Sequence, residues 1–229
     1  MMNLRLERTE KDAIVLHAVF AILSLIVLFI SLELSVGVRL CVLVVLYNVM
    51  IPAGAFLRRH DDWLALWLFL LPVSILQIFP DWFLAAELGV LVFPDTGSLR
   101  LGEVPLFMGG LWVIPLFVIV FLGRRIEERF NRKLGLFTVC ITSFLLFVGS
   151  EAVLWRIPIW YAREVTTVCH VALYLIVPEV LLGLSAFLAF EMSRGRPCWY
   201  RLCAAFTVMV FYLGNLGLFY LIGEHLLLR

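Results

Sequence analysis

The fold this sequence predicts is an all-α bundle of about seven membrane-crossing helices with one short interfacial or re-entrant segment. Of its 229 residues, 63% are hydrophobic, against about 45–50% apolar in soluble domains. The apolar residues fall in runs of about 20, the length that crosses a hydrocarbon core near 30 Å. The charges nearly cancel, at net +1, but they sit unevenly among the loops. The chain therefore reads as a single integral membrane domain over residues 1–229, and nothing in its charge pattern points to nucleic acid.

Taken in order, Arg5, Arg8 and Lys11 precede an apolar run over residues 13–34. That run exceeds the 7–15-residue core of a signal peptide, so it is read as a retained first helix. The second helix covers residues 39–57. Asn48 lies near its centre, and Pro52 cannot donate to the Asn48 carbonyl, so this polar point calls for a partner on another helix. After RRHDD (residues 58–62) the third helix covers residues 63–79 and ends at Pro80-Asp81. Residues 82–93 are too few to span and predict the interfacial piece.

A PDTG turn follows at residues 94–97, with Asp95 and Gly97 as its turn residues. The fourth helix is predicted over residues 104–122, with Pro105 in its first turn, where a missing N–H costs nothing. GRRIEERFNRK (residues 123–133) is the main basic loop. The fifth helix covers residues 134–154, with Glu151 near its end. Residues 155–165 mix aromatics with arginines, as interfacial belts do. The sixth helix, residues 166–190, holds His170 near its start and Glu179 near its middle. The seventh, residues 202–222, carries Asn215 between Gly214 and Gly217, two positions open to close packing, and Glu224 follows it.

Seven spans put Arg5, Arg8, Lys11, Arg58, Arg59, the basic loop and Arg194, Arg196 and Arg201 on one side. That is 13 of the 18 basic residues. The positive-inside rule makes this side cytoplasmic, with the N-terminus inside and Arg229 at the outside C-terminus of a multi-pass cell-membrane protein. The five cysteines show no CxxC or zinc spacing.

On this topology Glu103, Glu151 and Glu224 each lie within three residues of an outer helix end, near His170. These four are predicted to share one outer cavity. Glu103 and Glu151 are the candidate acid and base, with His170 as a proton partner. Asp95, Arg100, Trp112, Trp155, Trp160, Glu179, Glu224, Asn48 and Asn215 are candidate substrate-binding residues. Glu33, Asp81, Glu87 and Glu164 read as ordinary loop acids. Glu179 is expected deep in the bilayer, neutral and hydrogen-bonded to Asn48 or Asn215, because an ionisable residue at mid-span marks function by default. With no HExxH or Glu-x-x-His pair, no metal site is assigned.

The stretch PDTGSLRLGEVPLFMGGLWVIPL (residues 94–116) resembles a group of small polytopic bacterial membrane proteins with a PDTG turn and a G-x-VPLF helix start. More distantly, seven helices with acids at their ends are similar to the carotenoid-biosynthesis hydratases and the membrane lycopene and terpene cyclases. Those enzymes use carboxylic acids to protonate an isoprenoid double bond. The resemblance implies an acid role for Glu103, beside Val104-Pro105-Leu106, although the doubled acid of the lycopene cyclases is absent. The expected function is acid–base chemistry, namely hydration, cyclisation or isomerisation, on a lipophilic isoprenoid-like molecule, without a cofactor. Two alternatives stand beside it: a non-catalytic protein that binds lipid or a membrane partner, its outer acids paired to Arg100, Arg156 and Arg163, and a transporter with Glu179 as the proton-coupled residue.

Overall fold

The computed structural model describes residues 6–30, 33–154, 156, 157 and 159–227. Trp155 and Arg229, both singled out in the sequence, lie outside the described residues. Among the described residues, seven helices are long and apolar enough to cross a membrane. They are α1 (Arg8–Phe29), α2 (Val36–Arg58), α3 (Asp61–Glu87), α4 (Met108–Arg129), α5 (Arg132–Leu154), α6 (Leu173–Ser193) and α7 (Cys198–Leu227). The expected all-α bundle is present. Among the described residues, three short antiparallel pairs decorate one end: β1 (Leu91–Val92) with β4 (Tyr161–Ala162), β2 (Arg100–Leu101) with β3 (Val104–Pro105), and β5 (Thr167–Val168) with β6 (Val171–Ala172).

Three departures from expectation reshape the site. First, Pro80-Asp81 does not end the third helix. At Gln77 the chain tightens, and the Gln77 N–H reaches the carbonyls of Val73 and Ser74. The tightened turn absorbs the missing proline N–H, and regular bonding resumes with the Asp81 N–H on the Gln77 carbonyl at 3.1 Å. The helix then runs on to Glu87, ending in a π-helical turn. Much of the predicted interfacial piece is therefore the end of a 27-residue span.

Second, the fourth helix starts at Met108, not at Val104. Gly102, at φ +59°, takes the first central position of a two-residue hairpin loop, where glycine is favoured. Glu103 is the other loop residue, and Pro105 ends up in a strand. Third, residues 166–172 form a hairpin, not the start of α6. Their β-branched run, Thr166, Thr167, Val168 and Val171, suits a strand, and Cys169 and His170 form its tip at φ +51° and +70°. Glu179 consequently falls in the first turn of the α-helical part of α6, Ile176–Ser193, and not at mid-span.

The PDTG turn has a positional role. Asp95 Oδ1 accepts the Gly97 N–H at 3.0 Å, and Arg100 donates to the Phe93 and Pro94 carbonyls, each at 2.6 Å. The turn docks on the start of α2 through the Gly37 N–H to the Thr96 carbonyl at 2.9 Å. Gly37 is required there, since a Cβ would meet Thr96 and Ser98 at 2.6–2.7 Å. Gly214 and Gly217 face open space, which corrects their predicted packing role. Close helix contact is made instead by Gly183 against Ser143 and Gly123 against Val139, where small residues let α6 and α4 approach α5.

At the end where α1 begins, charges are interlinked. Arg124 is 6% exposed and donates to Glu128 at 2.9 Å, with Glu191 at 2.8 Å and Asp62 at 3.9 Å. Arg129 reaches Glu10 at 2.9 Å, and Asp12 takes Arg58 and His60 at 2.7 and 2.8 Å. This arginine end ties α1, α2, α3, α4 and α6 together.

Candidate functional site: a carboxyl-lined cavity

At the opposite end of the bundle, a cavity of about 300 Å³ lies among α3, α4, α5, α6 and α7. Its polar wall consists chiefly of Asp81, Glu151 and Glu179, with Trp112, Trp160 and Tyr212 beside them. Continuation of α3 past Pro80 carries Asp81 inward, to 4% exposure. The last turns of α5 supply Glu151, and the first turn of α6 supplies Glu179, which is 5% exposed. Most of the remaining wall is aliphatic, including Leu84, Leu111, Ile114, Val118 and Leu146.

The three carboxyls have different partners. Trp160 Nε1 donates to Glu151 Oε1 at 2.7 Å. Trp112 Nε1 donates to Asp81 Oδ2 at 3.3 Å. Glu179 Oε2 is buried with no hydrogen-bond partner. Among the described lining residues there is no lysine, arginine or histidine. A buried carboxyl without a cation is costly to ionise, and three in one apolar space compound the cost through like-charge repulsion. Among the described residues, no three His, Cys, Asp or Glu side chains are placed to hold a metal ion.

Much of the aliphatic side of the cavity lies along α4 and α5. These helices meet closely around Gly123 and Gly135, nearer the arginine end. Toward the cavity, Ile114, Pro115 and Val118 of α4 and Leu146, Ser150 and Leu154 of α5 are only partly buried. Over the cavity end, the β1–β4 pair brings Leu91 and Trp160 across as a cover. Arg163 fastens that cover, its N–H on the Val90 carbonyl at 2.8 Å and its Nε on the Gly89 carbonyl at 3.2 Å.

Of the residues singled out in the sequence, Glu151, Glu179, Trp112 and Trp160 converge on this cavity. Glu103 does not, because it is exposed on the β2–β3 loop, and His170 is exposed at the tip of the β5–β6 hairpin. Asp95 and Arg100 hold the PDTG turn. Glu224 accepts the Thr166 N–H and hydroxyl at 3.0 Å and so anchors the β5 approach. Asn48 bridges helices, donating to the Gly110 carbonyl at 3.1 Å and accepting from Trp67 Nε1 at 3.1 Å. Asn215 bonds back to the Phe211 carbonyl of its own helix at 2.7 Å, so neither asparagine lines the cavity with Glu179. Sequence reasoning missed Asp81 and Tyr212. Asp81 looked like a loop acid only because Pro80 looked like a helix end.

The profile of the DUF6989 family, a domain of unknown function, matches residues 78–223. That segment begins one turn before Asp81 and contains every residue of the cavity wall. No curated protein and no solved structure matches the chain. With the profile covering well over half of its length, the chain belongs to the DUF6989 family.

Proposed function

We propose that this is a multi-pass protein of the cell membrane whose cavity performs acid–base chemistry on a lipophilic, isoprenoid-like molecule that enters from the bilayer. The observation that carries the reading is the convergence of Asp81, Glu151 and Glu179 on one apolar-walled cavity with no cation among its described residues. Like charges so placed cannot all be ionised together, so the group retains a proton to give. The uneven distribution of basic residues supports an N-terminus in the cytoplasm and a cavity end facing outward.

In this reading Glu179, which has no donor beside it, gives its proton to a carbon of the substrate double bond. Positive charge then develops on the neighbouring carbon, where the indole faces of Trp112 and Trp160 favour it. Glu151, oriented by the Trp160 N–H, takes a proton from the adjacent carbon in an isomerisation, or from an incoming water in a hydration. A proton passed back from Glu151 to Glu179 restores the starting state. Glu103 and His170 leave the acid–base set, and Asp81 enters as the third member of the proton-sharing group. A cavity of about 300 Å³ is at the small end of ligand pockets, roughly 300–1,000 Å³. It would hold the reacting end of a long chain while the rest remains among the acyl chains.

The test is to extract lipophiles from the purified protein, identify them by mass spectrometry, and incubate the protein with them in deuterated water. Deuterium entering a polyene or prenyl chain with the wild type but not with Glu151→Gln or Glu179→Gln is the expected result. Recovery of ordinary phospholipid alone, without deuterium transfer, would favour a non-catalytic lipid-binding or partner-binding protein.

A further inference from the structure

The wall of the cavity is asymmetric in its hydrogen-bonding capacity, and that asymmetry constrains what it holds. Its indole donors are engaged: Trp112 with Asp81 and Trp160 with Glu151. The Ser150 hydroxyl donates to the Phe147 carbonyl at 2.8 Å. The Tyr212 hydroxyl adds one more donor, but the six oxygens of the three carboxyls outnumber the two indoles and this phenol, and the Oε2 of Glu179 is buried and unpartnered. A buried carboxyl left unpaired is expensive, and a head that carries a hydrogen to donate and a lone pair to accept relieves it whether or not the carboxyl holds its proton.

We propose that the cavity selects a single-chain lipophile whose head donates hydrogen bonds, a long-chain alcohol or amine, and rejects chains that end in carboxylate or phosphate. This names the ligand class for the site above and rests on that cavity being the ligand site. An anionic head would add a further negative charge to a wall whose three carboxyls already cannot all be ionised together, with no described cation to meet it where water is scarce. Anion recognition ordinarily uses arginine or a helix N-terminus. Here the helix start in the wall, at Leu175 and Glu179, already carries its own acid. A donor head reverses each of these terms. It supplies the missing partner for Glu179, and an ammonium head also supplies the missing positive charge beside two indoles. The aliphatic wall between α4 and α5 accepts one chain, its far part lying between the partly buried Val118 and Leu146.

The experiment is a titration of the full chain in a neutral detergent with four amphiphiles sharing one alkyl chain: an amine, an alcohol, a carboxylate and a phosphate. Bound stoichiometry is read by native mass spectrometry. The amine and alcohol are expected to bind saturably, at least about tenfold more tightly than either anion. Glu179→Gln, which keeps an acceptor but cannot give up a proton to an amine, is expected to lose the amine preference and keep the alcohol. Carboxylate or phosphate binding as tightly as the amine overturns the head selectivity. The site itself is checked separately with Val118→Trp, which fills the wall away from the carboxyls and is expected to weaken both donor-headed ligands together. Unchanged binding of all four chains in a folded Val118→Trp protein would instead overturn the cavity as the ligand site, and the head selectivity with it.

Discussion

Both ends of the bundle gather acidic side chains, and the two ends handle them in opposite ways. At the arginine end, Glu10, Asp12, Asp62, Glu128 and Glu191 each face an arginine. Arg124 is buried yet has carboxylates around its guanidinium and the Phe190 ring 5.4 Å away. At the carboxyl end, Asp81, Glu151 and Glu179 have indoles or nothing. The first arrangement joins helices through matched charge. The second leaves Asp81 and Glu179 buried, and Glu151 half-buried, without counter-charge. The lesson is to read each acid by what faces it, since burial alone does not separate a structural carboxyl from a functional one.

The largest expected effect comes from packing. Gly183→Leu would drive a side chain into Ser143 and force α6 away from α5. Overpacking of this kind costs about 3 kcal/mol, and because α5 and α6 carry Glu151 and Glu179, it should also scatter the cavity. Thermal unfolding and ligand recovery should fall together. Arg124→Ala is next. It removes a buried guanidinium, but Glu128 keeps Arg125, Glu191 keeps Arg194, and both acids are partly exposed, so about 2 kcal/mol is expected, less than for a fully buried pair. Its effect should appear in Tm while the cavity still binds its lipophile.

Smaller effects sharpen the contrast. Trp160→Phe removes the N–H on Glu151 and keeps the ring, at a cost of about 1 kcal/mol. Here deuterium transfer should drop more than stability does. Glu103→Gln, on an exposed hairpin loop, should change neither Tm nor the lipophile recovered. A loss of activity in that variant would restore Glu103 to the site and sever the link between function and the cavity.

The number of helices was legible because runs of apolar residues are a composition signal that survives any detail of packing. So was the placement of Glu151, three residues before the end of α5, because a basic loop and an apolar run set the register of that helix. Errors came where local chemistry has two solutions. Pro80 reads as a terminator, yet a tightened turn at Gln77 lets α3 continue. Thr166 to Val171 is apolar enough to extend a span, yet its β-branched content made a hairpin. These two errors hid the site. The first turned Asp81 into a loop residue, and the second left Glu179 at mid-bilayer, about 13 Å from His170 along a helix, when it belongs beside Glu151 at the cavity end.

On the proposed function the cavity carboxyls are retained at a cost to stability, and one substitution at each end, an amide for Glu179 and a truncation of Arg124, separates the two kinds of acid. Residues retained for function often sit at a cost to the fold. Thermal unfolding of the ligand-free protein should therefore show Glu179→Gln equal to or above the wild type in Tm, while Arg124→Ala falls clearly below it. A Glu179→Gln protein destabilised as much as Arg124→Ala would contradict the account, because it would make Glu179 another structural acid whose partner lies within the fold.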